Sequence, residues 1–550
     1  ISLVPSEMPH KSPFGPLPSS NSPIHLDLFA KIDQVVQKDP NKKALIEGAN
    51  RSQFLTYSQL REQSHAVAQF LHNHGLTRKT AATVLPNCLE FTPFFIGVFM
   101  EGSTVSGASA LFTEYELNRQ LNDCGANVLF TDDDHLDKVF KATRQLPSLQ
   151  LIIVKTTKTV LPPGMVSWNE VISTRVDSSR PKVRINVDED VAILPYSSGT
   201  TGVPKGVMLT HKNFGTMLRM FVRVREVNEK EGRFPGWDTS RENLLLFLPT
   251  YHIYGFAVIC LCILAESTGI LLSHFEPQVF LSCIQDFKIK QLNIVPPILV
   301  FLAKHPLCLQ YDLSSLRRVS SGAAPAGKDI CDELLKRYPN IEFVEQGYGM
   351  TELTTGACLA DNQSRTKFGS CGKVAPGLEM KIVDPETGIE VKDGEAGEIC
   401  VRGPTVMKGY LGRDEATREC VRGGWMHTGD IGYIDSDGDV FIVDRFKELI
   451  KVKGLQVPPA ELEDILLSHP HVADAAVIGV PNDAAGELPK AFIMKKDESL
   501  TAEEIFDYVK ERVAHYKQLK GGIEFIDHIP KSPSGKILRR ILREKIVSKL

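Results

Sequence analysis

The strongest constraint on the fold is the regular alternation of short apolar segments with helix-like segments along most of the chain. Helical spacing is clearest in the apolar stripe at 66–71. The predicted strands lie at 81–85, 128–131, 151–154, 191–194, 244–248, 292–295 and 343–346. Because neighbouring parallel strands need a long crossover, usually a helix, this order predicts an α/β fold with largely parallel sheets.

The pattern changes twice toward the C-terminus, which divides the chain into predicted domains. Short strands with glycine turns predict a β-rich subdomain at about 370–445, at the end of a large domain that spans 24–445. Residues 446–550 have helices predicted at 459–467 and 502–513, and they form a separate small α+β domain. The first 23 residues, rich in proline and serine, are predicted to be an N-terminal arm.

Composition and charge exclude several functions. A formal net charge of −4 over 550 residues gives no broad attraction to nucleic acid. The most apolar stretch, 253–265, is shorter than the roughly 20 residues of a membrane-spanning helix, so we expect a buried helix and no membrane span. Eleven cysteines without a Cys-x-x-Cys pair indicate a reducing compartment, and they favour neither a disulfide framework nor a structural zinc site.

Residues 197–206 form a glycine-rich run that directly follows an apolar strand. Its order, Ser-Ser-Gly-Thr-Thr-Gly-Val-Pro-Lys-Gly, offers backbone N–H groups, hydroxyls and the Lys205 ammonium, which together suit a nucleotide phosphate. It is not a Walker A loop, because Lys205 precedes the last glycine and no Ser or Thr follows it. By itself the run fits either a phosphate loop or an ordinary turn.

Three later motifs add groups of the kind that a nucleotide needs. The run 346–352 follows a buried strand, and it supplies Tyr348 to stack on adenine, Thr351 to donate to phosphate and Glu352 to hold Mg²⁺. Asp430 ends the run 425–430 and suits ribose hydroxyls, with Arg445 placed to assist it. Lys536, on a glycine turn, would by itself be an unremarkable surface lysine.

The acidic run 435–439 resembles part of a calcium-binding loop. It lacks the terminal bidentate glutamate of such a loop, so we interpret it as a tight turn between two strands.

Together these motifs resemble the acyl-adenylate-forming superfamily, which includes acyl-CoA synthetases, 4-coumarate–CoA ligases, beetle luciferases and peptide-synthetase adenylation domains. The resemblance covers nearly the whole chain. The runs 251–255, 321–325, 347–352 and 451–457 look most like the coumarate ligase and luciferase branch.

The resemblance implies an ATP-dependent acid–thiol ligase that works in two steps. The carboxylate of a fatty or aryl-propenoic acid attacks the α-phosphate of ATP to give acyl-AMP and pyrophosphate, and the thiol of CoA then displaces AMP. ATP, Mg²⁺ and CoA are therefore the expected cofactor and co-substrates, with Glu352 as the metal ligand. The resemblance assigns catalytic roles to Lys536, His252, Thr351 and Lys205.

The resemblance also assigns a nucleotide site. Its members are Ser197, Ser198, Gly199, Thr200, Thr201, Gly202, Lys205, Ala323, Ala324, Pro325, Gln346, Gly347, Tyr348, Gly349, Thr351, Asp430, Arg445, Lys447, Lys451 and Lys536.

The small domain is implied to serve both steps by turning about Lys447. That turn withdraws Lys536 and brings residues 451–454 over the site, with Lys453 and Gly454 contacting CoA. His252 matches the gate residue of the family.

The acyl pocket is implied to be mostly apolar, without an obvious second charge. Its predicted lining is His252, Tyr254, Val258, Ala323, Gly349, Met350, Thr355 and Gly356. The alternative is a luciferase-like monooxygenase that uses the same adenylation step. Met217 stands where beetle luciferases have an arginine, which disfavours luciferin.

The chain ends in Ser548-Lys549-Leu550, the tripeptide that the peroxisomal import receptor reads. It predicts a peroxisomal location and a role in fatty acid metabolism.

Overall fold

The computed structural model describes residues 9–197, 204–232, 238–322, 327–361, 367–445, 448–452, 455–482, 485–513, 515–531 and 537–547. Within these ranges the helices are α1 Ile24–Lys38, α2 Tyr57–Asn73, α3 Phe91–Met100, α4 Glu114–Asp123, α5 Leu136–Thr143, α6 Trp168–Ile172, α7 His211–Lys230, α8 Ile253–Leu264, α9 Pro277–Asp286, α10 Pro296–Lys304, α11 Lys328–Arg337, α12 Asp414–Cys420, α13 Pro459–Leu467, α14 Ala502–Lys510 and α15 Arg539–Val547.

The strands of the large domain come first along the chain. They are β1 His10–Lys11, β2 Lys43–Glu47, β3 Phe54–Thr56, β4 Thr80–Val84, β5 Thr104–Ala108, β6 Val128–Asp132, β7 Leu151–Lys155, β8 Met165–Ser167, β9 Val191–Ile193, β10 Tyr196–Ser197, β11 Lys205–Thr210, β12 Asn243–Leu246, β13 Thr268–Leu271, β14 Gln291–Ile294, β15 Arg318–Ser321, β16 Phe343–Gln346, β17 Cys358–Leu359, β18 Lys373–Val374, β19 Glu379–Val383, β20 Gly397–Arg402, β21 Gly409–Tyr410, β22 Val421–Arg422, β23 Trp425–Ile434 and β24 Val440–Arg445.

The remaining strands belong to the small domain. They are β25 Ile450–Val452, β26 Leu455–Val457, β27 Val472–Asn482, β28 Gly486–Lys495 and β29 Gly522–Phe525.

The large domain is built on parallel sheets, which confirms the predicted fold class. Its main sheet has the order β10-β11-β9-β5-β4-β6-β7-β8, parallel from β9 to β8 and antiparallel at the β11 side. A second sheet runs β12-β13-β2-β3, and a third, fully parallel sheet runs β14-β15-β16. The carboxyl end of β16 leads straight into the predicted nucleotide motif.

The predicted β-rich segment forms an antiparallel sheet of order β1-β19-β20-β23-β22, with β24 paired to β23. β1 comes from the predicted N-terminal arm, and His10 pairs with Met380. Phe14 is buried, and the backbone N–H of Ser20 donates to Thr216 Oγ1 at 2.8 Å. The described part of the arm is therefore packed on the large domain.

The small domain has its own sheet, of order β26-β25-β28-β27 with β29 on β28. Its apolar core lies between this sheet and helices α13 and α14, and includes Val457, Leu462, Val477 and Ile505. It touches the large domain through α13, where Lys304 Nζ donates to the carbonyl oxygen of Leu467 at 3.1 Å.

Helix α8 is fixed in the core by aromatic packing. Phe256 lies in ring contact with Phe91, Phe95 and Phe99 of α3, and with Phe214 of α7. The predicted buried helix at 253–265 is thereby confirmed, and no described helix combines the length and apolar character needed to cross a membrane. All eleven cysteines have free thiols, and ten are buried.

Candidate active site

The run 346–352 leaves the end of β16 and folds back over its own strand. The backbone N–H groups of Ala357 and Cys358 both donate to the carbonyl oxygen of Tyr348, at 2.7 and 3.0 Å. A Cβ on Gly349 would lie 1.6 Å from the carbonyl oxygen of Thr355, so only glycine fits at this close approach. The motif is therefore held as a tight backbone fold with Tyr348 at its base.

Tyr348 is joined to Asp430 across the boundary between the third sheet and the β-rich subdomain. The tyrosine hydroxyl donates to Asp430 Oδ2 at 2.7 Å, and both side chains are buried. Burial, with the Asp430 carboxylate beside it, raises the pKa of Tyr348 well above its usual value, so the hydroxyl stays a donor. Asp430 in turn is set by β23, where its backbone N–H donates to Thr428 Oγ1 at 3.1 Å. Tyr348 and Asp430, both predicted to bind the nucleotide, thus hold each other in place.

Glu352 is held by a residue that the sequence did not single out. The hydroxyl of Tyr410 donates to Glu352 Oε1 at 2.9 Å, and the backbone N–H of Met407 donates to the Glu352 carbonyl oxygen at 2.9 Å. A carboxylate oxygen is the kind of ligand that Mg²⁺ prefers, so the group fits the predicted metal role.

Lys205 lies close to the same tyrosine. Its ammonium is 5.0 Å from the centre of the Tyr410 ring, and Lys205 pairs across the β10–β11 hairpin with Ser197. The hairpin brings both ends of the predicted phosphate loop together, next to Glu352. The positive charge and the carboxylate therefore flank the same part of the cavity.

His252 is the N-cap residue of helix α8. Its Nδ1 accepts a hydrogen bond from the backbone N–H of Tyr254 at 3.3 Å, which caps the helix. Burial lowers the pKa of His252 to about 4, so the imidazole is neutral at physiological pH. A neutral side chain at the cavity wall does not add charge to the path of an incoming acid or thiol.

A single cavity of about 1520 Å³ connects these groups. One wall is apolar and comes from α7 and α8, through Phe221, Val224, Ala257, Val258 and Leu261. The opposite wall is one face of the third sheet, and it is polar, through Gln291, Asn293, Arg318, Ser320 and Glu345. The predicted acyl-lining residues bring no second charge, but the wall of the whole cavity also carries an ion pair between Arg318 and Glu345.

Most of the described predicted residues line this cavity. They are Ser197, Lys205, His252, Tyr254, Val258, Gln346, Gly347, Tyr348, Gly349, Met350, Thr351, Glu352, Thr355 and Gly356. Asp430 stands behind Tyr348. The small domain contributes Glu448, Lys531 and residues 537–541 and 543 to the wall. Lys451 lies in β25, where its backbone N–H donates to Glu487 Oε2 at 2.8 Å.

Several predicted residues lie outside the described part of the chain. They are Ser198, Gly199, Thr200, Thr201, Gly202, Ala323, Ala324, Pro325, Lys447, Lys453, Gly454, Lys536, Ser548, Lys549, Leu550 and the side chain of Arg445. Their roles stay predictions.

Two further polar clusters lie in the β-rich subdomain. The run 435–439 joins β23 to β24, which confirms the predicted turn, and Lys367 places its ammonium 2.5 Å from Asp435 and 3.3 Å from Asp439. In the second cluster, Glu398 Oε2 lies 2.8 Å from His427 Nδ1, and Glu398 Oε1 accepts from the N–H of Gly429 at 3.1 Å. Glu398 therefore braces the backbone just before Asp430.

Family models and related sequences both assign this chain to the AMP-binding enzymes. Residues 32–411 match the family model described as AMP-binding enzyme, and residues 461–536 match AMP-binding enzyme C-terminal domain. The chain is 41% identical over 543 residues to 4-coumarate–CoA ligase 2 of Nicotiana tabacum, covering 97% of each protein.

Two solved structures are similar over almost the whole fold. The anthranilate CoA ligase AuaEII in complex with anthranoyl-AMP matches with a TM-score of 0.84 and 26% identity, over 97% of this chain and 100% of that one. The o-succinylbenzoate CoA synthetase MenE of Bacillus subtilis, in complex with ATP and magnesium ion, matches with a TM-score of 0.75 and 28% identity, over 93% and 99%.

Proposed function

Because the chain belongs to the AMP-binding enzyme family and is an AMP-forming CoA ligase, we propose that its acid substrate is an aryl-propenoic acid of the 4-coumarate type. The enzyme uses ATP, Mg²⁺ and CoA, and it forms acyl-AMP before it transfers the acyl group to CoA. The observation that carries the substrate proposal is the 41% identity with a 4-coumarate–CoA ligase over 97% of both chains.

The shape of the cavity supports a flat substrate. Three glycines line it where the acyl group must pass, Gly322, Gly349 and Gly356. A Cβ on Gly322 would lie 3.4 Å from the Tyr254 ring, and one on Gly356 would lie 3.3 Å from the Phe221 ring. Glycines next to aromatic rings leave a narrow slot, which suits a planar aryl-propenoate better than a bulky acid.

We assign the first half-reaction to the groups gathered at the end of β16. Tyr348 and Asp430 hold adenine and ribose, while Lys205 and Thr351 face the phosphates. The reacting nucleophile is the substrate carboxylate, so the protein supplies fixed charges and donors for the charge that develops on phosphate. Bound Mg²⁺, held through Glu352, would neutralise part of the phosphate charge.

For the second half-reaction we propose that the small domain turns about Lys447. The described small-domain residues Lys531 and Ile537 line the cavity, which supports an orientation of the small domain toward the nucleotide site. This orientation suits adenylation. Turning would remove Lys536 and bring Lys453 and Gly454 to the path of CoA.

A substrate panel tests the proposal. Pyrophosphate release and CoA-thioester formation are measured with 4-coumarate, cinnamate and a series of fatty acids at matched concentrations. We expect the highest kcat/KM with an aryl-propenoic acid. A higher kcat/KM with every fatty acid would contradict the proposal, and it would restore the alternative of fatty acid activation. The relatives of this chain are CoA ligases, which favours the ligase over the luciferase-like alternative.

The location is a separate proposal, which rests on Ser548-Lys549-Leu550 being the natural end of the chain. In that case the peroxisomal import receptor binds this tripeptide, and the thioester forms inside the peroxisome.

A further inference from the structure

The polar wall of the cavity is a consequence of strand register. β14, β15 and β16 are parallel, and Ser320 pairs with Asn293 on one side and Glu345 on the other. Alternate residues point to opposite faces, so Leu292, Val319 and Val344 are buried against the helices. Gln291, Asn293, Arg318, Ser320 and Glu345 face the cavity. A wholly apolar acid would offer this face no hydrogen bond from the ligand.

Glu345 is the least satisfied member of that face. Its Oε2 accepts from Arg318 Nε at 2.7 Å and from Ser320 Oγ at 3.2 Å, and it lies 2.6 Å from a second guanidinium nitrogen of Arg318. Oε1 is buried and has no hydrogen-bond partner among the described residues. Only 9% of the side chain is exposed. A buried oxygen without a donor is costly, so the observation points to a missing ligand group.

The position of Glu345 matches the far part of the acyl group. It immediately precedes Gln346, the first residue of the nucleotide motif, so it lies about 3.3 Å earlier along β16. The Tyr254 side chain lies in the same region, because Arg318 and Glu345 both act electrostatically on its hydroxyl. The reacting carboxylate is expected near Gly349 and His252, so Glu345 meets the opposite end of the substrate.

The charges on this wall also restrict the ligand. Arg318 and Glu345 neutralise each other, so they give no net attraction to a second carboxylate or to an amine. The facing wall is mainly apolar, and its charged residues Arg225 and Glu229 pair with each other. A ligand with an aromatic or aliphatic body and one uncharged hydroxyl at its far end satisfies both walls.

We propose that Glu345, oriented by Arg318 and Ser320, is a specificity-determining residue that accepts a hydrogen bond from a hydroxyl at the far end of the acyl substrate. This inference deepens the proposed function and rests on it for the aryl-propenoic class. The terminal torsion of glutamate is soft, so the carboxylate can rotate to present one oxygen to a donor in the cavity while the other keeps a contact with the broad Arg318 guanidinium.

The test compares acids that differ only at that end. For each enzyme, kcat/KM for CoA-thioester formation is measured with 4-coumarate, cinnamate and 4-methoxycinnamate. The wild-type enzyme should prefer 4-coumarate to both others by at least tenfold, because only its substituent can donate to a carboxylate.

The Glu345→Gln enzyme should no longer prefer 4-coumarate to 4-methoxycinnamate, and the reason is geometric. Arg318 and Ser320 are donors, so the amide carbonyl takes their side and the amide NH₂ faces the cavity. The hydroxyl and the methoxyl then serve equally as acceptors, and the ratio of 4-coumarate to 4-methoxycinnamate should fall toward one. The double variant Arg318→Leu with Glu345→Leu removes both charges and avoids an unpaired buried one, and it should also lose the preference over cinnamate.

Glu342→Gln is the matched control. Glu342 pairs with Arg317 just before the same strands, outside the cavity lining, so the substitution should leave the wild-type ratios unchanged.

The outcomes separate this inference from the substrate proposal. If only fatty acids are turned over, the aryl proposal fails, and the same ratio is measured with a fatty acid and its ω-hydroxy derivative. A wild-type ratio near one in the series that is turned over would overturn the role of Glu345. The role of Glu345 would also be overturned if Glu345→Gln kept the wild-type ratio of 4-coumarate to 4-methoxycinnamate. This result is sufficient even if the double variant does not fold.

Discussion

Tyr348→Phe separates the role of the tyrosine ring, at the predicted adenine position, from the role of its hydroxyl group. The substitution keeps the ring against the predicted adenine position and removes only the hydroxyl that donates to Asp430 Oδ2 at 2.7 Å. Both side chains are less than 10% exposed, so water does not replace the lost donor freely. A hydrogen bond to a charged group contributes about 1.5–3 kcal/mol.

That range fixes the expected effect on ATP binding. If Asp430 holds ribose, a carboxylate that has lost its anchor binds the nucleotide less well in both ground and transition states. At about 1.4 kcal/mol per tenfold change, the KM for ATP should rise roughly 10- to 150-fold, with a much smaller change in kcat. The free energy of unfolding should fall by about 1.5–3 kcal/mol.

The assay is pyrophosphate release as a function of ATP concentration with saturating acid, together with thermal unfolding. Tyr57→Phe is the control, because the fully buried Tyr57 also donates its hydroxyl, to the Ser267 carbonyl oxygen at 2.8 Å. It should lower stability without raising the KM for ATP. A Tyr348→Phe enzyme that is less stable but has an unchanged KM would refute the reasoning, and the contact with Asp430 would be purely structural.

Four other changes test separate parts of the account. Lys536→Ala should abolish pyrophosphate release yet spare thioester formation from supplied acyl-AMP, and equal loss of both would contradict the alternation of the small domain. Gly327→Ala would place a Cβ 1.5 Å from Asp464 Oδ1, so the Asp464 side chain must move and the contact with α13 should loosen. Pyrophosphate release should then slow more than transfer from acyl-AMP, and equal slowing of both would refute this. Burial lowers the pKa of His211 to about 4, below its value of about 6.5 in the unfolded chain, so unfolding free energy should fall by up to about 3 kcal/mol from pH 6.5 to pH 4. His211→Asn should flatten that slope in urea titrations, and an unchanged slope would exclude His211. Deleting residues 548–550 should leave activity intact and the protein cytosolic, and continued import would remove the significance of the tripeptide.

The fold was predictable from the sequence because its signals are local. Strand β16 has the predicted bounds, and so does helix α13. The predicted helix at 502–513 ends earlier, at Lys510, and the predicted strand at 244–248 ends earlier, at Leu246. These differences arise at element ends, where a single glycine or a tertiary contact outweighs the helical or alternating pattern.

The partners of the site residues were not predictable in the same way. Tyr410 and Glu352 are hydrogen-bonded although 58 positions separate them in the sequence, and Tyr348 and Asp430 although 82 positions separate them. Arg318 and Glu345 look like ordinary strand residues until the register of β15 and β16 places them together. A polar residue at every second position of a short strand is a weak signal, because it also describes a strand with one solvated face.

The distribution of contacts bears on how one site can serve two reactions. The pairs Tyr348–Asp430 and Tyr410–Glu352 lie entirely within the large domain, so they persist whatever the orientation of the small domain. The described contacts across the domain boundary join the two domains, so they depend on the orientation of the small domain. They include one hydrogen bond from Lys304 to the Leu467 carbonyl and the approach of Asp464 to Gly327. Burial raises the pKa of Asp464, which shows that its carboxylate is less well solvated where it stands. Turning the small domain would restore that solvation and, among the described contacts, give up the hydrogen bond from Lys304. The nucleotide would stay bound through large-domain contacts while the surface that faces it changes, which is what a two-step ligase with a retained acyl-AMP requires.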